Sequence, residues 1–334
     1  MSQPKKKRTQ QPVLPPPMPF SLMSPYERVW NTVHGLEIDR PPVCFWRHFT
    51  PQGSGRRLAE QTAEFFDDEY ALDIAKIMPD IPYPFPEKSV SKPEDWLRME
   101  PIDSMRSRYV TERVLAVQHL RNMVGIEMPI VMTVFNPLHE LLASATSPDV
   151  VRKAAEQSPV LLHEVLAIVA ENIRAHNQVM LSAGVDGIYF ALQGCTSAIL
   201  SEELYREFGR PYDLHALAGA RGLWLNILHV HGDRDLLFDL VIDYPVAVLS
   251  WSDRLAGPSL RDIRSRSTKT LMGGWHEFGA IVKGDVNGMR EEAKDAMKQT
   301  GGKGFILAPG CSVPDDIDPH HLEQARAIAE GLTV

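Results

Sequence analysis

His229 and His231 are separated by a single residue. Side chains two apart on an extended segment point to the same side, so both imidazoles can meet one ion. Far along the chain, Cys311 offers a softer third donor. Two nitrogens and one sulfur form a set that zinc accepts at about 2.0–2.3 Å, with a fourth position left open in catalytic sites. Glu277, in the run Gly273-Gly274-Trp275-His276-Glu277, is the candidate fourth ligand or acid/base. The plainer reading is a histidine that satisfies buried backbone groups near an unrelated cysteine.

Arg47 and Asp80 form a second constellation. A guanidinium can clamp a substrate carboxylate through paired hydrogen bonds, and a carboxylate nearby can steer a proton. The competing reading is a structural salt bridge. Asn136 and Gln193 are further polar candidates for substrate contact. Trp251 and Trp275, with Tyr83 and Phe85, could wall an apolar pocket, although aromatic residues serve the core more often. No glycine-rich phosphate loop with its Lys-Ser/Thr pair occurs.

These residues need elements to position them, and the chain supplies a rhythm of short apolar runs alternating with helical patterns. The runs fall at 43–46, 74–78, 129–135, 185–192, 223–228, 247–250, 270–272 and 304–307. Helical spacing is read at 57–70, 113–124, 148 to near 184, after the cap Ser201, at 236–242, 285–297 and 318–332. Eight parallel strands joined by helices predict a closed (β/α)8 barrel, because parallel neighbours require crossovers of one hand. An open doubly wound sheet is the alternative. The barrel is favoured because Arg47, Asp80, Asn136, Gln193, His229, Asp253, Glu277 and Cys311 all follow strand ends, where barrel enzymes hold their chemistry.

A chain of 334 residues that is 44% hydrophobic can bury a large core. The expected organisation is a disordered, proline-rich tail at 1–20 and one barrel domain over 21–334. The basic run Lys5 to Arg8 reads as part of a solvated tail. A formal net charge of -8 gives no general attraction to nucleic acid or anionic membrane, which favours a small-molecule substrate. Three widely spaced cysteines argue against a disulfide framework, and no stretch is apolar for long enough to span a bilayer. A cytoplasmic protein is expected.

Several segments together resemble the uroporphyrinogen decarboxylase superfamily. They are Ser24-Pro25-Tyr26-Glu27-Arg28-Val29, Asp39-Arg40-Pro41-Pro42-Val43 with Arg47, Gly184-Val185-Asp186-Gly187 followed by Leu200-Ser201-Glu202-Glu203, and Gly301 to Leu307 with Pro314-Asp315-Asp316. The resemblance implies a single (β/α)8 barrel and one of two activities: metal-free tetrapyrrole decarboxylation, or zinc-dependent methyl transfer to thiols, in some members with a corrinoid protein. Arg47 and Asp80 fall where the decarboxylases hold their tetrapyrrole. The tyrosine that those enzymes carry after strand three and the histidine near their last glycine are missing, replaced by Asn136 to Leu141 and Pro309-Gly310-Cys311. The methyltransferases carry His-x-Cys after strand five and Pro-Gly-Cys after strand eight. Here His229 and Cys311 match, and His231 stands in the place of a cysteine. The resemblance therefore implies a zinc enzyme that activates a thiol for alkyl or methyl transfer, with tetrapyrrole or carboxylate decarboxylation as the alternative. A barrel that only binds a ligand or a protein is the third reading.

Overall fold

Aliphatic runs without polar alternation are stable as strands only where both faces are covered, which suits a parallel sheet wrapped by helices. The computed structural model describes residues 23–49, 53–86 and 89–332. It builds strands β1 (Ala75–Ile77), β2 (Ile130–Phe135), β3 (Gly187–Leu192), β4 (Ile227–Val230), β5 (Val248–Trp251), β6 (Thr270–Trp275) and β7 (Phe305–Pro309). They pair in chain order, every neighbour parallel, in one curled sheet. The tail expected at 1–20 lies outside the described residues. No helix among the described residues is long and apolar enough to cross a membrane.

Among the described residues seven strands stand where eight were expected. The run 43–46 forms a single parallel bridge, Val43 to Leu307. Cys44 N–H donates to the Leu307 carbonyl (3.0 Å), Leu307 N–H to the Pro42 carbonyl (2.8 Å), and Asp73 N–H to the Val43 carbonyl (3.0 Å). The segment thus touches both β7 and the approach to β1 without becoming a strand. Pro41 and Pro42 have no N–H to donate, so a ladder cannot extend backwards.

A buried ionic knot holds that segment. Asp73 has no exposed surface. It accepts from the Val43 N–H and an Arg40 nitrogen, each at 2.7 Å, and from Arg28. Arg28 also grips Asp39 through two hydrogen bonds of 2.7 Å. Arg28 comes from the helix Pro25–His34, whose start is a capping box of Ser24 and Glu27.

Helix boundaries differ from expectation for local reasons. The pattern from 148 to 184 divides into Pro148–Gln157 and Pro159–Ala183, because Pro159 cannot continue the hydrogen-bond ladder and pushes Ser158 out of helical geometry. The span 57–70 is an α-helix, Gly55–Ala63, that widens into the π-helix Glu64–Glu69. The short helix at 236–242 is a single 3-10 turn, Phe238–Leu240. Helices Pro137–Ser144 and Arg210–Leu217 were not foreseen.

Replacing Asp73 with Asn should destabilise the protein by roughly 3–5 kcal/mol, because two buried guanidinium groups lose their shared counter-charge. The urea midpoint should fall with little change in slope. A wild-type midpoint would show that the knot contributes nothing.

Candidate metal centre

Parallel register decides which side chains share the inner face. The Cα partners Thr133 and Tyr189, Ala191 and His229, and His229 and Ser250 lie side by side across β2 to β5. Alternation along each strand carries the neighbours of these residues to the opposite face. His231, one step beyond β4 and two beyond His229, joins them, and the curl of the sheet brings Cys311 over from the end of β7. One ligand atom from each of His229, His231 and Cys311 falls within 4.8 Å of the others. Cys311 Sγ lies 3.6 Å from His231 Nδ1.

The arrangement fits a metal ion. His229 is buried, its Nδ1 lies 3.3 Å from the Ser250 hydroxyl, and its Nε2 has no hydrogen-bond partner. An outer partner that fixes one ring nitrogen and leaves the other free is how ligating histidines are oriented. Burial lowers the pKa of both imidazoles, against the pull of Cys311 on His229 and of Glu277 on His231, so both stay neutral and able to ligate at neutral pH. Burial would raise the Cys311 thiol, but His229 and Ser312 outweigh it and hold the thiol below its ordinary value. Cys44 and Cys195 are inert by comparison, with burial raising the first and pushing the second to about 12.

Two cavities meet at this cluster. The inner one, about 80 Å³, is walled by Lys76, Thr133, Tyr189, His229 and Trp46. The outer one, about 560 Å³, is walled by Thr196, Arg234, Leu255, Glu277 and Phe278. Gln193, His231, Cys311 and Ser312 belong to both.

Glu277 is buried, and it accepts a hydrogen bond from Ser252 on one oxygen while the other makes no hydrogen bond and lies 3.6 Å from His276 Nδ1. Gly310 makes this approach possible: a Cβ there would lie 2.5 Å from the Ser252 Cα and 2.9 Å from a Glu277 oxygen.

The remaining expected site residues are dispersed. Arg47 donates to the Asp315 carbonyl at 3.1 Å and lines a separate surface cleft beside Glu69 and Glu323. Asp80 meets His48 instead, 3.6 Å away. Asn136 is consumed structurally, capping the helix Pro137–Ser144, accepting from the Gln193 N–H at 3.1 Å and donating to Asp213 at 3.0 Å.

Trp251 and Trp275 line neither cavity. Each sits one residue out of phase with the inner face, and their indoles donate to the carbonyls of Pro258 (2.7 Å) and Met289 (3.0 Å). Sequence reasoning missed Lys76, Tyr189, Ser250 and Trp46. Of these only Lys76 carried a signal, a lone charge inside an apolar run.

Iodoacetamide should alkylate Cys311 alone in folded protein stripped of metal by a chelator. The rate should rise with pH through a midpoint below the roughly 8.5 of a free thiol, since the reactive thiolate forms earlier when the pKa is depressed. His229→Ala should move that midpoint upward. Peptide mass spectrometry that finds Cys44 labelled, or a wild-type midpoint above 8.5, would contradict the geometry.

The family model "Uroporphyrinogen decarboxylase (URO-D)" matches residues 70–331. The methylcobamide:CoM methyltransferase MtaA of Methanosarcina barkeri (strain Fusaro / DSM 804) is 24% identical over 215 residues, covering 64% of this chain and 61% of that relative. The chain therefore spans a little under two thirds of that curated relative's length. A methyltransferase structure from Methanosarcina mazei superposes with a TM-score of 0.73 at 17% identity, covering 92% of this chain and 98% of the other. A B12-independent methionine synthase from Shewanella sp. W3-18-1, in complex with selenomethionine, gives 0.53 at 13% identity, over 87% and 91% of the two chains. At such identities the two structures speak for the fold alone. With its family model matched over most of the length, the chain belongs to the uroporphyrinogen decarboxylase (URO-D) family.

Proposed function

We propose that this protein is a zinc-dependent methyltransferase that transfers a methyl group from a corrinoid to a small thiol. The observation that carries this reading is the convergence of His229, His231 and Cys311 within 4.8 Å, with His231 and Cys311 on the wall shared by two cavities and His229 lining the inner one. A transfer reaction needs acceptor and donor to reach one point from different directions. A site open on two sides is suited to that. The methylcobamide:CoM methyltransferase similar to this chain supports the reaction class.

His229, His231 and Cys311 would hold the ion. Bound there, zinc would lower the pKa of a substrate thiol so that it attacks as a thiolate at neutral pH. Ser250 fixes the His229 ring, and Gln193 borders both cavities at the point of transfer. Glu277, which lines the outer cavity and has one carboxylate oxygen without a hydrogen bond, would take the proton that the thiol gives up. The outer cavity is the larger and would face the corrinoid, whether free or carried by a partner protein. Replacing a cysteine by His231 leaves the ion more electrophilic and the bound thiolate less nucleophilic than a two-sulfur site would.

The decarboxylase alternative loses one of its two anchors, because Arg47 turns to Asp315 and away from the inner cavity. A protein that only binds a ligand does not require a thiol of depressed pKa beside two neutral imidazoles.

Protein purified without a metal-affinity tag should contain about one zinc per chain. It should demethylate free methylcobalamin when a thiol is added, followed by the cobalamin spectrum. Cys311→Ala should lose the zinc, and turnover should fall by at least about 100-fold. Metal-free wild-type protein, or full turnover by Cys311→Ala, would overturn the proposal.

A further inference from the structure

Lys76 lies in the middle of β1, within an otherwise apolar run, and is only 2% exposed. Its ammonium contacts the Met78 sulfur at 3.2 Å and sits over the rings of Tyr189 (4.4 Å) and Trp46 (5.1 Å). Among the described residues no carboxylate pairs with it. A thioether and two aromatic faces are weak compensation for an ammonium taken out of water. Other buried cations here are answered more fully. Arg28 and Arg40 share Asp73, and Arg113 donates to the carbonyls of Thr133 and Ile81.

The surroundings of Lys76 are also short of partners. The hydroxyls of Thr133 and Tyr189, on the same inner face and in direct register, are buried without a well-formed hydrogen bond, although Ser250 lies near enough to the Tyr189 hydroxyl to act on it. All three groups wall the inner cavity, which His229, His231 and Cys311 also line. One water needs roughly 10–15 Å³, so about 80 Å³ admits a group of several heavy atoms. One ammonium and two hydroxyls can donate together to the oxygens of a planar carboxylate. Of the two acids nearest in sequence, Asp73 is committed to Arg28, Arg40 and the Val43 N–H, and Asp80 meets His48 through Oδ1 and makes no hydrogen bond through Oδ2.

The geometry points to an anion subsite in which Lys76, Thr133 and Tyr189 hold the carboxylate of a short mercapto acid. The sulfur of that acid would reach His229, His231 and Cys311 across the same cavity. This assignment rests on the methyl-transfer reading for the role of the sulfur, but not for the binding of the carboxylate. It also transfers to Lys76 the task that the sequence suggested for Arg47.

Calorimetric titration with propionate, which carries the carboxylate and no thiol, tests the subsite apart from the metal. Wild-type protein should bind propionate. Lys76→Met should weaken binding at least tenfold while zinc content stays unchanged, and Thr133→Val should weaken it about threefold or more. No binding by wild-type protein, or equal affinity in Lys76→Met, overturns the subsite even where zinc is present. Should Lys76→Met fail to fold, unchanged affinity in Thr133→Val overturns it. Propionate binding that depends on Lys76 in a zinc-free protein would leave the subsite standing and remove the methyl-transfer reading alone.

Discussion

Parallel register is the constraint on which the site depends. His229 faces inward because it is paired with Ala191 on one side and Ser250 on the other. A slip of one residue would send it to the helical layer and bring Leu228 or Val230 inside. The same rule carries His231 inward and excludes Trp251 and Trp275. Curl supplies the second half of the geometry, since β4 and β7 are not neighbours in the sheet, and a flat arrangement would hold Cys311 far from both imidazoles. The bridging segment at 42–44, fastened by Asp73, keeps β7 near the approach to β1 and so sustains the curl.

Polar burial is treated differently in different parts of the molecule. Asp213 lies deep among Tyr205, Tyr244 and Asn136, with all three donating to it at 2.6–3.0 Å. Asp73 is likewise surrounded by donors. Near the candidate centre, Thr133, Tyr189, His229 and Glu277 each leave a buried polar atom without a partner. Such atoms cost about 1–3 kcal/mol apiece, a cost that a bound ion and substrate would offset. Unpartnered buried atoms also occur elsewhere, as at His176 and Arg264, but at the candidate centre four such residues gather around one cluster of ligand atoms.

Much of this was legible in the chain. Strands from β1 onward announce themselves as aliphatic runs, and the His-x-His pair with Cys311 was visible because a two-residue spacing has one geometric meaning on a strand. The segment at 43–46 looked equally apolar, but its leading prolines remove the donors that a ladder needs. Arg47 stands out by residue type, whereas it is its neighbour His48 that meets Asp80. Asn136 resembled a substrate contact because helix caps and ligand contacts favour the same side chain. The tryptophans misled because aromatic size says nothing about phase along a strand. Lys76 was passed over because one lysine does not disturb an apolar pattern, and its isolation from carboxylates exists only in three dimensions.

The claim that two imidazoles and one thiolate share a zinc ion is tested most directly by X-ray absorption at the zinc edge of the purified protein. The arrangement predicts one sulfur scatterer at roughly 2.3 Å with lighter ligands at about 2.0–2.1 Å, and a second sulfur when a thiol is added. A first shell without sulfur, or one unchanged by thiol, would contradict it.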